Sequence, residues 1–108
     1  LNLNEYQEKS VSTAIYPNEV ALAYVALGLS GEAGEIANKV KKLYRDGDGT
    51  ASPEKEKELA KELGDVLWYV AMMAYELGFR LDEIAQMNVD KLSSRKERGV
   101  IGGSGDER

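Results

Sequence analysis

Four acidic residues share one spacing: Glu32 and Glu35 in Glu32-Ala33-Gly34-Glu35, and Glu62 and Asp65 in Glu62-Leu63-Gly64-Asp65. On a helix, positions i and i+3 leave the same face one turn apart. Both pairs lie among apolar and small residues and not in a solvated charge run. Four carboxylates turned into one helix–helix cleft repel one another. At an effective dielectric of about 20 and ~5 Å separation, each pair of charges costs about 3 kcal/mol. A cation removes that conflict, and oxygen-only ligands suit Mg²⁺, Mn²⁺ or Ca²⁺. Glu32, Glu35, Glu62 and Asp65 are therefore candidate metal ligands.

The rest of the composition narrows the chemistry. The chain has neither histidine nor cysteine, which excludes the commonest general base, thiolate nucleophiles, disulfides and zinc–thiolate sites. Carboxylates, Lys, Tyr and metal-bound water are left. Magnesium is usually held by a few carboxylates while waters and substrate phosphates complete its shell, and such ions neutralise phosphates and lower the pKa of an attacking water. Phosphoryl chemistry also needs cations on the phosphate oxygens. Lys39 and Lys42 continue the polar flank of the first acid pair, and Asn88, Lys91 and Arg95 follow at i, i+3, i+7. Tyr69, one turn after Asp65, is a candidate for a base pocket, whereas Trp68 points away from the acids. Glu58 lies in the run Glu54–Glu58 and reads as surface pairing.

The elements that must position these residues are helical. A first helix is expected from about Leu3 to Ala14, ended by Tyr16-Pro17. Asn18 is placed to cap a second, Glu19 to Tyr44, which stops at Arg45-Asp46-Gly47-Asp48-Gly49. Ser52-Pro53-Glu54 opens a third that reaches Leu77 before Gly78, and a fourth runs from Leu81 to Arg98. The fold class is all-α, a helical bundle of four main helices over residues 1–98, followed by a Gly-rich tail over 99–108. Leu22, Val25, Leu29, Ala33, Ile36, Val40 and Leu43 form one apolar stripe. Leu59, Leu63, Val66, Val70, Met73, Ala74 and Leu77 form the other. Packed antiparallel, the stripes bring the two acidic flanks together, with Gly28, Gly31, Gly34 and Gly64 allowing close approach. From Val66 to Ala74 the third helix is apolar nearly all round, so a second subunit is expected over Trp68, Ala71, Met72 and Tyr75.

The chain's 108 residues, 43% hydrophobic and 31% charged, describe one globular domain. A net charge of −5 argues against binding a nucleic-acid polymer through counterion release. No apolar stretch reads as the ~20 residues that cross a bilayer, and the N-terminal residues lack the features of a signal peptide. A cytoplasmic enzyme with no membrane partner is the expectation.

The stretches Gly31-Glu32-Ala33-Gly34-Glu35-Ile36, Glu62-Leu63-Gly64-Asp65-Val66-Leu67 and Asn88-x-x-Lys91-Leu92-x-x-Arg95 together resemble MazG-like nucleoside triphosphate pyrophosphohydrolases of the all-α NTP pyrophosphatase superfamily. The likeness extends from Tyr6-Gln7 into the tail. It implies Mg²⁺-dependent conversion of a (deoxy)nucleoside triphosphate to monophosphate and pyrophosphate by water attack on the α-phosphorus, with Mn²⁺ as a substitute ion. It implies that the four acids hold the metal, that Asn88, Lys91 and Arg95 bind phosphate, and that the short chain assembles as a homodimer or tetramer. The contrasting reading is a non-catalytic helical dimer that binds nucleotide or a partner and uses the acids structurally.

Overall fold

The computed structural model describes residues 1–108. It is all-α, as expected: α1 Leu3–Val11, a 3₁₀ turn Asn18–Val20, α2 Ala21–Asp46, α3 Pro53–Glu76 and α4 Leu81–Glu97. The helix ends follow local chemistry. The Ser12 and Thr13 hydroxyls donate to the carbonyls of Lys9 and Ser10 (2.5 and 2.7 Å), and α1 stops three residues short of the expected Ala14. Such hydroxyls offer the backbone a competing partner. Asn18 does not cap α2. Pro17 precedes a single 3₁₀ turn instead, and α2 begins after Val20 without a side-chain cap. Ser52 does cap α3, its hydroxyl accepting from the Lys55 N–H at 3.2 Å with Pro53 at the first helical position. Gly78 closes α3 in a left-handed conformation (φ +83°), and the Phe79 N–H turns back to the Ala74 carbonyl at 2.8 Å, the six-to-one bond of a Schellman ending.

α2 and α3 form an antiparallel hairpin, closed by the loop 47–52. Lys39 meets Glu58 near the loop, Glu32 meets Asp65 midway, Gly28 meets Tyr69, and Val25 shares the core with Met72. The paired positions thus step in opposite directions along the two helices. Val25, Ala71, Met72 and Leu81 are the buried centre, with Tyr6, Val11, Trp68 and Tyr69 among the side chains around it.

The face of α3 expected to need a second subunit is covered from within the chain. Ala71 and Met72 are fully buried, and α1 lies against both α3 and α4. Gln7 of α1 is the staple. Its amide donates to the carbonyls of Ala71 (3.1 Å) and Phe79 (3.0 Å), and its carbonyl accepts from the Leu81 N–H (3.0 Å). Asn4 accepts from the Asp82 N–H at 3.1 Å. Two otherwise unpaired N–H groups at the start of α4 are thereby satisfied by α1 side chains. Trp68 donates its indole N–H to the Thr13 hydroxyl at 2.9 Å and meets Tyr16 edge-on. Only Tyr75 of the four named residues remains half exposed.

The molecule is nevertheless open. Its radius of gyration is 16.8 Å, against about 13 Å for a compact chain of this length. α4 packs on α1 and α3 but makes no extensive contact with α2. Leu22, Leu63 and Leu77, assigned to the buried stripes, are about half exposed. The α2 region is also more apolar than the sequence suggested: the helical stretch Asn18–Asp46 contains an 18-residue window of mean hydropathy 1.3, enough by length and composition to span a bilayer.

Candidate active site

The hairpin seam brings acids from separate helices together. One carboxylate oxygen from each of Glu32, Glu62 and Asp65 can be chosen so that all three lie within 4.8 Å of one another. Glu35, one turn further along α2, is exposed and stands outside this group. Three of the four expected ligands therefore converge, and the fourth lies at the rim.

The electrostatics of the cluster are those of acids in need of a counter-charge. Desolvation, followed by the charge of Asp65 and a hydrogen bond with Glu62, raises the Glu32 pKa above its ordinary value. Lys39 supplies a partial counter-charge, its Nζ lying 3.8 Å from Glu58 and 3.9 Å from Glu62. Glu58 also pairs with Lys55 at 3.4 Å, as its place in a surface run suggested. The donor set fits a hard divalent ion: three carboxylates, no softer ligand, and one neighbouring ammonium already drawn toward them.

Tyr69, the candidate for a base pocket, lies in the seam between α2 and α3. Its ring packs on Gly28, where a β-carbon would overlap it, and meets Trp68 edge-on with centroids 5.0 Å apart. Desolvation, then the neighbouring Tyr24 and Glu32, raises its pKa, so its hydroxyl stays protonated beside the acids. Of the four glycines expected to allow close helix approach, only Gly28 does so. Gly31, Gly34 and Gly64 face open space.

Two cavities flank the acids along the seam. Toward the loop, a cavity of about 380 Å³ is lined by Lys39, Lys42, Arg45 and Lys55 with Asp46 and Glu58. Toward the other end, an apolar cavity of about 160 Å³ lies between Leu29 of α2, Val70, Met73, Ala74 and Leu77 of α3, and Ile84 of α4. Ile84 also borders a third cavity of about 320 Å³ that holds Met87, Asn88, Lys91 and Asp106. Asn88 and Lys91 thus share a cavity on α4. Arg95 does not open into it: its side chain is 7% exposed and is bound by the tail at Asp106. Arg95, expected to bind phosphate, is thus held by the tail through one guanidinium nitrogen, Nη2.

The MazG nucleotide pyrophosphohydrolase domain model matches residues 22–100. The chain belongs to this family. The MazG match spans all four acids, the hairpin that brings three of them together, and the whole of α4. The chain is 51% identical to the Gene 37 protein of Mycobacterium phage L5, with both chains covered in full. It is 30% identical to the uncharacterized protein YvdC of Bacillus subtilis (strain 168), over 88% of this chain and 90% of that one. No solved structure matches.

Three structural residues had no role in the sequence reading. Gln7 was legible in principle, since it sits between Leu3 and Val11 at i+4 steps on the face that packs inward. Asp106 and Arg108 had no such signal, because a Gly-rich segment carries no periodicity to place its side chains.

Proposed function

We propose that this MazG-family chain is a Mg²⁺-dependent nucleoside triphosphate pyrophosphohydrolase, with Mn²⁺ as a substitute ion. Water attacks the α-phosphorus of a (d)NTP, the α–β bridging bond breaks, and (d)NMP and pyrophosphate leave. The observation that carries this reading is the convergence of Glu32, Glu62 and Asp65 within the family-matched hairpin. Those three carboxylates would hold the ion, which supplies charge neutralisation on the phosphates and a lowered pKa for the attacking water.

The chain's own groups divide the remaining work. Glu35, exposed at the rim and outside the three-acid group, is assigned to accept the proton of the attacking water. Lys39 and Lys42 line the basic cavity next to the acids and receive oxygens of the departing pyrophosphate. Asn88 and Lys91 offer donors from α4. Tyr69 holds the seam and presents a protonated hydroxyl beside Glu32. Clearing unwanted triphosphates from the nucleotide pool is the role such an activity would serve.

The reading includes a homo-oligomer, for a reason other than the covered face of α3. The chain exposes 7774 Å², whereas a compact monomer of its mass exposes about 5,900 Å². Leu22, Leu63, Leu67 and Leu77 contribute to the excess. A second copy over this surface would close the open side of the hairpin. A strictly monomeric mass in sedimentation at micromolar concentration would refute that part.

The activity test is direct: incubation with Mg²⁺ and each common (d)NTP, with pyrophosphate and orthophosphate measured separately. Pyrophosphate is the expected first product, and Glu35→Gln should lower kcat by at least about 100-fold. Orthophosphate released first, or unchanged turnover in Glu35→Gln, would reject the mechanism.

A further inference from the structure

The last ten residues are rich in glycine yet joined to one another and to α4 by hydrogen bonds. Gly99, Gly103 and Gly105 take positive φ values of 70°, 87° and 90°, turning the chain back on itself. Arg108 fills the resulting ring. Its Nε donates to the carbonyls of Val100 (3.1 Å) and Gly102 (2.9 Å), its Nη1 to Gly105 (2.6 Å) and its Nη2 to Ile101 (3.1 Å). The Val100 N–H joins the ring to α4 through the Arg95 carbonyl at 2.8 Å.

This loop presents Asp106 to two cations of α4. Arg95 Nη2 donates to the Asp106 carbonyl at 2.6 Å and to its carboxylate at 3.1 Å. Lys91 Nζ donates to the same carboxylate oxygen at 2.8 Å. Lys91 and Asp106 both line the 320 Å³ cavity, together with Asn88.

We propose that Asp106 is a positioning residue of the triphosphate site: anchored by Arg95 and the Arg108 ring, its carboxylate aims the Lys91 ammonium into the cavity beside Asn88. The proposal rests on the triphosphate reading above. Three observations favour this role over a simple clip. Arg95 and Arg108 already fasten the loop through backbone carbonyls, so the fastening does not require the carboxylate. The Asp106 side chain is 74% exposed, where an ion pair adds little stability. An ammonium has three donors, so Lys91 keeps two for a phosphate while the third fixes its direction.

The same geometry argues against a latch that substrate must displace. Asp106 is held through its main chain, and releasing it would break the Arg95 bond and disturb a ring closed by four Arg108 bonds. With Lys91 and Arg95 against Asp106, the three side chains together keep one net positive charge. That suits an arriving polyphosphate.

The test compares wild type, Asp106→Asn, Lys91→Ala and the double variant in Mg²⁺, by initial rates with a turned-over triphosphate and by calorimetric binding of inorganic tripolyphosphate. Asp106→Asn preserves shape and the backbone bond to Arg95, so the melting temperature should stay near that of wild type. Its kcat/KM and tripolyphosphate affinity should each fall about tenfold, with the double variant no worse than Lys91→Ala, as expected for residues acting as one unit. Asp106→Glu should recover part of the loss. Unchanged affinity, a lowered KM, or a loss that adds to that of Lys91→Ala would overturn the assignment. Absence of pyrophosphate from wild type with every triphosphate would instead reject the activity. The tripolyphosphate comparison would still decide Asp106, since equal binding by wild type and Asp106→Asn rejects its role regardless of turnover.

Discussion

Tyr69 of α3 packs directly on Gly28 of α2, with no room for a β-carbon between them. Gly28 is one turn from Glu32, and Tyr69 is one turn from Asp65. This contact sets the interhelical separation at which the two acids meet. A residue with no polar role of its own therefore governs the geometry of the charged cluster.

Gly28→Ala should destabilise the fold and loosen the cluster. Overpacking costs about 1–3 kcal/mol, partly offset by the ~1 kcal/mol that alanine gains over glycine inside a helix. Gly31→Ala, whose β-carbon meets nothing, should instead stabilise by about 0.5–1 kcal/mol. Urea unfolding reads both. Equal stabilisation by the two substitutions would mean that the Tyr69–Gly28 contact does not set the seam.

Divalent ions should stabilise the native chain through the acid cluster. Mg²⁺ at ten times its dissociation constant is expected to add about 1.4 kcal/mol, which EDTA removes. Glu62→Gln or Asp65→Asn should abolish most of that response in thermal melts. An undiminished Mg²⁺ shift in both variants would place the ion elsewhere.

The pH dependence has two parts of opposite sign. Desolvation and the nearby acids hold the folded-state pKa of Glu32 above 4.5, so the folded state keeps a proton that the unfolded state has released. In EDTA, this contribution to stability is full below 4.5 and is lost as pH rises through the raised value. Glu32→Gln should flatten that decline. Asp106 behaves in reverse: hydrogen bonds from Lys91 and then Arg95 hold it below 3.8, so its contribution persists above that value and disappears as pH falls through the depressed one. Carboxyl-resolved NMR titration follows both residues. A Glu32 midpoint at or below 4.5 would contradict the first part.

Gln7→Ala should be among the most damaging single changes outside the acids. It removes three hydrogen bonds to buried or partly buried backbone groups. Leaving such groups unpaired costs about 1–3 kcal/mol each, less whatever water restores. Loss of hydrogen-exchange protection should begin at the start of α4. If exchange there is unaltered, α1 is not what fastens that helix.

Much of this architecture was legible in residue order because its causes are local. The i, i+3 spacing put each acid pair on one helical face. Ser52-Pro53 and Gly78 marked the ends of α3, and apolar stripes at helical spacing gave α2 and α3 the faces on which an antiparallel pair could pack. Local chemistry also misled at Asn18, where Pro17 led into a 3₁₀ turn, and at Ala14, where the hydroxyls of Ser12 and Thr13 took the carbonyls that a longer helix would have used.

Other features depended on contacts between segments distant in sequence. Glu62 and Asp65 meet Glu32 while Glu35 stays at the rim, because only the rotation of two packed helices decides which carboxylates face one another. Arg95 matched a phosphate-binding pattern, and its Nη2 is also bound by a loop eleven residues away. Ala71 was expected to need a partner chain, yet α1, sixty-odd positions earlier, covers it through Gln7. Helix periodicity specifies a face, whereas the occupant of that face is chosen by three-dimensional packing and by which buried polar groups find partners there.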